Sequence, residues 1–269
     1  MTEQQFNITD AARAYREQIK PNTVGSLSRT DPEIAAIIEN FAFDQIPNAS
    51  DLDDRRRFLC ILAGLMGTQA RDTFQLMVEG ALNFGVDPVE IKEVIYMGVP
   101  YLGLGRSIHF IKTANEVFDA KGIEMPLESQ QTVSGAERLT AGNNIQAQIY
   151  GEGIRESWMI GPQDRRYLNK LIAENCFGDY YTRNGLTVTD REMVAFCFIV
   201  AQGGAHPQAI SYAIGNLKLG NSKELLYDIM VNLIPYIGYP RVLNGIAAID
   251  AAGAVILEDE QEKRGQSKF

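Results

Sequence analysis

Apolar residues along this chain recur three and four positions apart. From Asp31 the series Ile34, Ile37, Ile38 and Phe41 falls on one face of a helix, and Asp31 before Pro32 offers a cap with proline at the first helical position. This first helix is expected to reach about Ala42. A second, over 51–66, opens with acidic residues where the helix dipole favours them, carries Phe58, Leu59, Ile61, Leu62 and Leu65, and is expected to end at Gly67. Residues 70–84 keep the same period and stop at Gly85, a natural left-handed cap. Asp87 and Pro88 start a helix over 89–99, which Pro100 is expected to stop, and after the YLGLG turn a further helix covers 107–120.

The pattern then repeats. Leu82, Gly85, Pro100, Tyr101, Gly103 and Arg106 have identical partners at Leu217, Gly220, Pro235, Tyr236, Gly238 and Arg241, each 135 positions on. Glu39 and Asn40 recur likewise as Glu174 and Asn175. The second series predicts helices over SGAERLTAGNNIQAQIYG, 164–176, 189–201, 207–219, 222–233 and 241–252. No period-two strand is present, and the short VIL and FIV runs lie inside longer helical patterns. The expected fold is all-α, with two tandem copies of one helical domain built on helix hairpins. The expected organisation is an N-terminal arm over 1–29, a first repeat over 30–120, a linker over 121–134, a second repeat over 135–255 and a polar tail over 256–269.

Composition narrows the partners. Hydrophobic residues make up 45% of the 269, enough for a sizeable core, and a net charge of −9 with Arg55, Arg56 and Arg57 as the only basic cluster argues against nucleic acid and anionic membranes. Cys60, Cys176 and Cys197 are odd in number and sit among apolar neighbours, as buried free thiols of a reducing compartment would. The N-terminus shows no signal-peptide core, and no apolar stretch is expected to reach the roughly eighteen residues a span needs. These features predict a cytoplasmic protein, and apolar residues around much of the helix circumference predict a homo-oligomer.

The stretches DDRRRFLCILAGLMG, GALNFGVDPVEIKEVI and PYLGLGR, with TDREMVAFCFIVAQGG, GNLKLGNSKELL and IPYIGYPRVLNGI in the second copy, resemble the carboxymuconolactone decarboxylase and alkylhydroperoxidase D-like family. That resemblance implies an alkylhydroperoxidase D-like helical fold, a small-molecule substrate, and assembly into trimers or rings of six domains. A tandem chain would reach six as a trimer, which is favoured, while a dimer stays open. Peroxide-reducing members carry a Cys-x-x-Cys pair, which here would fall near Ala70 and Thr73 or Ala205 and Gln208, where no sulfur stands. Decarboxylating members carry a histidine eight residues before the hairpin glycine, and this chain has Met77 and Tyr212 there. The resemblance therefore implies a cofactor-independent lyase for a small carboxylated or lactone metabolite that lacks both signature groups. The alternative is a non-catalytic ligand-binding or structural oligomer, with peroxidase activity a third reading.

Among the residues themselves, His206 at a helix start, Tyr212 and His109 are the candidate acid–base groups. His206 and Tyr212, six residues apart, do not share a helix face. Arg56, Arg191, Arg106 and Arg241 are candidate carboxylate anchors, for which a structural ion pair is the competing explanation. Tyr101 and Tyr236 read as packing residues whose hydroxyls cap a carbonyl. The two histidines give no metal-ligand spacing, no cofactor is expected, and GLGR and GGAH do not match a phosphate loop.

Overall fold

The computed structural model describes residues 7–21 and 27–266. Parts of the expected arm and tail, residues 1–6, 22–26 and 267–269, lie outside the described residues. The described residues form helices and no strand. In chain order these are α1 Asp10–Ile19, α2 Pro32–Asn40, α3 Asp54–Thr68, α4 Arg71–Asn83, α5 Pro88–Leu102 and α6 Leu104–Ala120. After the linker come α7 Glu137–Tyr150, α8 Ser157–Ile160, α9 Arg166–Leu171, α10 Val188–Gln202, α11 His206–Lys218, α12 Lys223–Ile237 and α13 Tyr239–Gln266. Two π-helical segments, Phe41–Gln45 and Ile172–Tyr181, continue α2 and α9. The bounds of α4 and α5 recur in α11 and α12 at the same spacing of 135 seen in the sequence.

α3 and α10 form the centre. Every residue from Arg57 to Gly67 and from Asp190 to Ala201 is buried, so neither helix shows a solvent face over that length. The two helices approach at the backbone: a Cβ on Gly67 would lie 2.6 Å from the Ala201 Cβ and 3.1 Å from the Gln202 nitrogen. α5 packs on α10 and α12 on α3, so each half lends a helix to the other's central helix. One apolar cluster runs through both halves.

Several boundaries differ from the sequence expectation. α3 passes Gly67 and ends with Gln69 in the left-handed region at φ 62, its side-chain amide bonded to the Met66 carbonyl. Pro100 and Pro235 lie inside α5 and α12, in the last turn, where the missing N–H forfeits one bond and Gly103 (φ 86) and Gly238 (φ 80) make the stop instead. Asp31 precedes α2 without a side-chain capping bond; its carboxylate accepts from the Thr30 hydroxyl at 2.7 Å.

α1 does not behave as an arm outside the core. Ala12 and Ile19 are buried, and Tyr15 meets the Phe43 and Phe84 rings at 6.0 and 5.0 Å. At the other end the helix runs through the expected tail as far as Gln266. Within it, Tyr239–Glu258 is long and apolar enough to cross a membrane by length and composition, with mean hydropathy 1.4, contrary to the expectation of no such stretch. Here Val242, Ala248, Ile249 and Ala252 of that stretch are buried, and α13 packs on α11 and α12.

Candidate functional site

α10 begins with reciprocal capping: the Asp190 amide donates to the Thr187 hydroxyl at 3.0 Å, and Asp190 accepts from the Thr187 amide. Arg55 of α3 grips the same carboxylate with two nitrogens at 3.1 and 2.9 Å, tying the central helices together. The next two side chains, Arg191 and Glu192, are fully buried and ionisable, and they bond to different partners. The Arg191 guanidinium donates to Glu93 at 3.0 Å and to the carbonyls of Arg183 and Asn184. Glu192 enters a cluster of tyrosines.

There the Tyr181 hydroxyl donates to Glu192 Oε2 at 2.7 Å and the Tyr150 hydroxyl to Oε1 at 3.1 Å. The Tyr101 hydroxyl lies 2.8 Å from both the Tyr181 and the Tyr212 hydroxyls, and Cys176 Sγ is 4.0 Å from it. The result is a continuous chain from Glu192 through Tyr181 and Tyr101 to Tyr212, with Tyr150 as a direct second branch. Tyr101 comes from α5 of the first half, Tyr150 from the end of α7, Tyr181 from the π segment and Tyr212 from α11. The expectation that the Tyr101 hydroxyl caps a carbonyl is thus corrected, because its partners are two phenols.

Sequence makes room for this cluster. A Cβ on Gly215 would fall 2.2 Å from Glu192 Oε1, so glycine at that turn of α11 is what admits the carboxylate. Asn216 donates to the backbone carbonyls of Glu192 (3.0 Å) and Tyr212 (2.8 Å), locking α11 against α10. Gly142 and Gly178 let α7 and the π segment touch at the backbone. A Cβ on Gly142 would meet the Ala173 carbonyl oxygen at 1.8 Å, and one on Gly178 the Arg138 oxygen at 2.4 Å.

Burial governs the protonation of these groups. It pushes the Glu192 carboxyl up to about 8 against the opposing pull of the Tyr181 and Tyr150 hydroxyls, so the acid holds its proton at neutral pH. Tyr101, Tyr150, Tyr181 and Tyr212 are all raised well above the ordinary phenol range, chiefly by burial. Burial also pushes the Cys176 thiol up to about 12, the reverse of an activated thiolate.

The cluster opens on a cavity of about 360 Å³ whose wall includes Tyr150, Tyr212, Ser211, Asn169 and Gln146, with Phe177 among its apolar residues. Gln146 is 6% exposed, and its side-chain carbonyl has no hydrogen-bond partner among the described residues. Among the described residues no cationic side chain lines this cavity.

The first half holds a counterpart of different chemistry. At the 135-residue spacing, Tyr15 stands for Tyr150, Arg57 for Glu192, Met77 for Tyr212, and Tyr236 of the second half for Tyr101. Arg57 is saturated by Asp54, by Asn232 Oδ1 at 3.1 Å and by the Leu52 carbonyl at 2.7 Å. Met77 and Tyr236 line a cavity of about 280 Å³.

Of the residues singled out by sequence, Tyr212 joins the cluster and the others stand elsewhere. His206 is exposed and lines a separate cavity of about 520 Å³ with Asn244, and no arginine lines that cavity. Half-buried His109 lies near Arg71; partial burial and that guanidinium lower its pKa. Arg191 is fully buried and enclosed in its ion pair, whereas Arg56 is exposed beside Asp53 at 3.4 Å. Arg106 is exposed, and Arg241 is half-buried near the start of α13. Cys60 and Cys197 are fully buried. Among the described residues no group of three or more His, Cys, Asp or Glu could hold a metal ion.

Sequence reasoning missed Glu192, Tyr150 and Tyr181. The available signal was the mismatch of Arg57 with Glu192, 135 positions apart inside otherwise apolar helices, together with the matched Tyr15 and Tyr150. A search of curated proteins found no match to the chain. Residues 32–116, the span from α2 into α6, match the sequence model of the carboxymuconolactone decarboxylase family.

Proposed function

We propose that this chain is a cofactor-independent lyase of the carboxymuconolactone decarboxylase-like kind, acting on a small carboxylated or lactone metabolite in the cavity beside Tyr150 and Tyr212. One observation carries the reading: a buried carboxyl near 8 hydrogen-bonded to tyrosines that open on a cavity. Loss of carbon dioxide leaves a carbanion or enolate that must be protonated. With Glu192 protonated at neutral pH, the 3.1 Å bond runs the other way, the Glu192 O–H donating to the Tyr150 oxygen, and Glu192 passes that proton on as the freed Tyr150 hydroxyl proton goes to the substrate carbon. The carboxylate left on Glu192 is held by the Tyr181 hydroxyl until solvent returns a proton. A substrate carboxylate in this cavity meets neutral groups only, so its charge gains by dispersing as the carbon–carbon bond breaks. The Gln146 side-chain carbonyl, without a partner among the described residues, accepts from a remaining polar hydrogen of the substrate.

On this reading the halves are two copies of one domain, of which the second carries the chemistry. The first, with its saturated Arg57 and with Met77, serves assembly. A thiol at about 12 and the absence of a Cys-x-x-Cys pair favour lyase over peroxidase chemistry. Leu104, Ile108, Tyr239 and Leu243, exposed at equivalent ends of α6 and α13, support a homo-oligomer, for which we favour a trimer. Light scattering then gives the mass of three 29.8-kDa chains. The three free thiols are consistent with a cytoplasmic setting.

The test is carbon dioxide release from a panel of small lactone and β-keto carboxylic acids in deuterium oxide. Turnover with deuterium placed on the product carbon is expected, reduced about a hundredfold or more in Glu192→Gln and kept in Met77→Leu. No turnover of any panel member, or full activity in Glu192→Gln, refutes the assignment.

A further inference from the structure

A second large cavity lies away from the tyrosine cluster, and the proposed lyase chemistry does not use it. It occupies about 560 Å³ between α5, α6, the linker and the loop that follows the Ile172–Tyr181 segment. The linker is held across it: the Asn184 amide donates to the Gln130 carbonyl at 2.9 Å, and the Thr132 hydroxyl to the Thr182 carbonyl at 2.6 Å. One wall is apolar, with Val89, Ile111 and Leu127 among its residues. The other presents Lys92, Arg183 and Asn115 around the Tyr96 ring.

Lys92 is the unusual member. It is 6% exposed, and among the described residues its ammonium has no ion-pair partner; it donates to Asn115 and faces the Phe118 and Tyr96 rings at 5.6 and 6.0 Å. Glu93, the buried carboxylate of this region, is already shared by Arg183 and Arg191. The lining holds Lys92 and Arg183 against Glu93 and the exposed rim carboxylate Glu128, and Glu93 is also bonded by Arg191 from outside the cavity. A buried charge is normally paired. Burial also lowers the Lys92 pKa, as expected of an ammonium without a counter-ion. The corresponding place in the second half differs: Tyr227 stands where Lys92 does, and Lys223 there is matched to Asp250 at 2.7 Å.

We infer that this cavity is a second ligand site, which takes a small organic carboxylate with an apolar or aromatic body. The carboxylate sits on Lys92 and Asn115, and the body lies between Tyr96 and the apolar wall. The volume is within the range of small-molecule sites. A charge-assisted bond to a buried ammonium is worth about tenfold or more in affinity.

The experiment is calorimetric titration of the full-length protein with benzoate, phenylacetate and hexanoate, with neutral benzamide and inorganic phosphate as comparisons. At least one carboxylate is expected to bind about tenfold or more tighter than benzamide, with no binding of phosphate. Binding of that carboxylate is expected to be lost in Lys92→Met and Lys92→Gln and unchanged in Tyr212→Phe. Because Met removes an unpaired buried charge, Lys92→Met is expected to melt no lower than the wild type, and Lys92→Gln covers the case in which it does not fold. The inference is overturned if no carboxylate binds, if benzamide binds equally, or if phosphate binds in their place. It is equally overturned if binding survives both Lys92 variants, and loss in Tyr212→Phe alone would assign the ligand to the tyrosine cavity while leaving the lyase reading intact.

Discussion

Glu192 is the residue on which the chemistry turns, and its environment fixes a measurable sign. Burial raises its carboxyl from 4.5 to about 8 in the folded state. Between those values the folded protein holds a proton that the unfolded chain has released, so stability falls as pH rises through that window and levels off above it. Glu192→Gln carries no such proton. Relative to wild type, the variant should therefore gain on the order of a few kcal/mol between pH 5 and pH 8, read from paired thermal or urea unfolding. An unchanged difference between the two curves would mean the carboxyl is not displaced. Gly215→Ala acts on the same atom from the other side. A methyl 2.2 Å from Glu192 Oε1 must move the carboxylate or the helix, at about 1–3 kcal/mol, with loss of whatever activity depends on Glu192.

At the scale of the element, the helices were legible because each buries apolar residues at a period near 3.6, and that period survives whatever the helix packs against. Their ends were less so. Pro100 and Pro235 look like stops in sequence, but a proline in the last turn costs only one bond, and the glycine three residues later sets the boundary. The site was barely legible, since its groups come from positions 101, 150, 181, 192 and 212 on separate elements, and no local spacing joins them. Tyr212 stands out only at the position that the resemblance points to, and Glu192 is hidden as one ionisable group among several at a helix start. The π segment and α7 carry Tyr181 and Tyr150, and their backbones meet at Gly142. A Cβ there would lie 1.8 Å from a carbonyl oxygen, which side-chain rotation cannot relieve. Gly142→Ala should destabilise by about 1–3 kcal/mol or more and displace both tyrosines, seen as a lowered melting temperature and altered tyrosine signals in the near-ultraviolet. A variant that melts and absorbs like wild type would contradict this packing.

For the whole molecule, the recurrence of residues at a spacing of 135 suggests two separable domains, but the packing joins the two halves. Tyr101 of the first half completes the second half's cluster, Tyr236 of the second lines the first half's cavity, and α3 and α10 share the core. A fragment of residues 135–269 alone would expose the α10 face that α3 and α5 cover, and it should show no cooperative unfolding transition by calorimetry. A fragment that folds and melts cooperatively would show that the halves are independent. The central claim, that the second half carries a protonated carboxyl poised on a tyrosine relay, is tested most directly by carbon-13 NMR titration of the glutamate carboxyls. Glu192→Gln identifies the resonance. A Glu192 midpoint near 8 is the predicted result, and a midpoint in the ordinary carboxylate range, about 4–5, would contradict it.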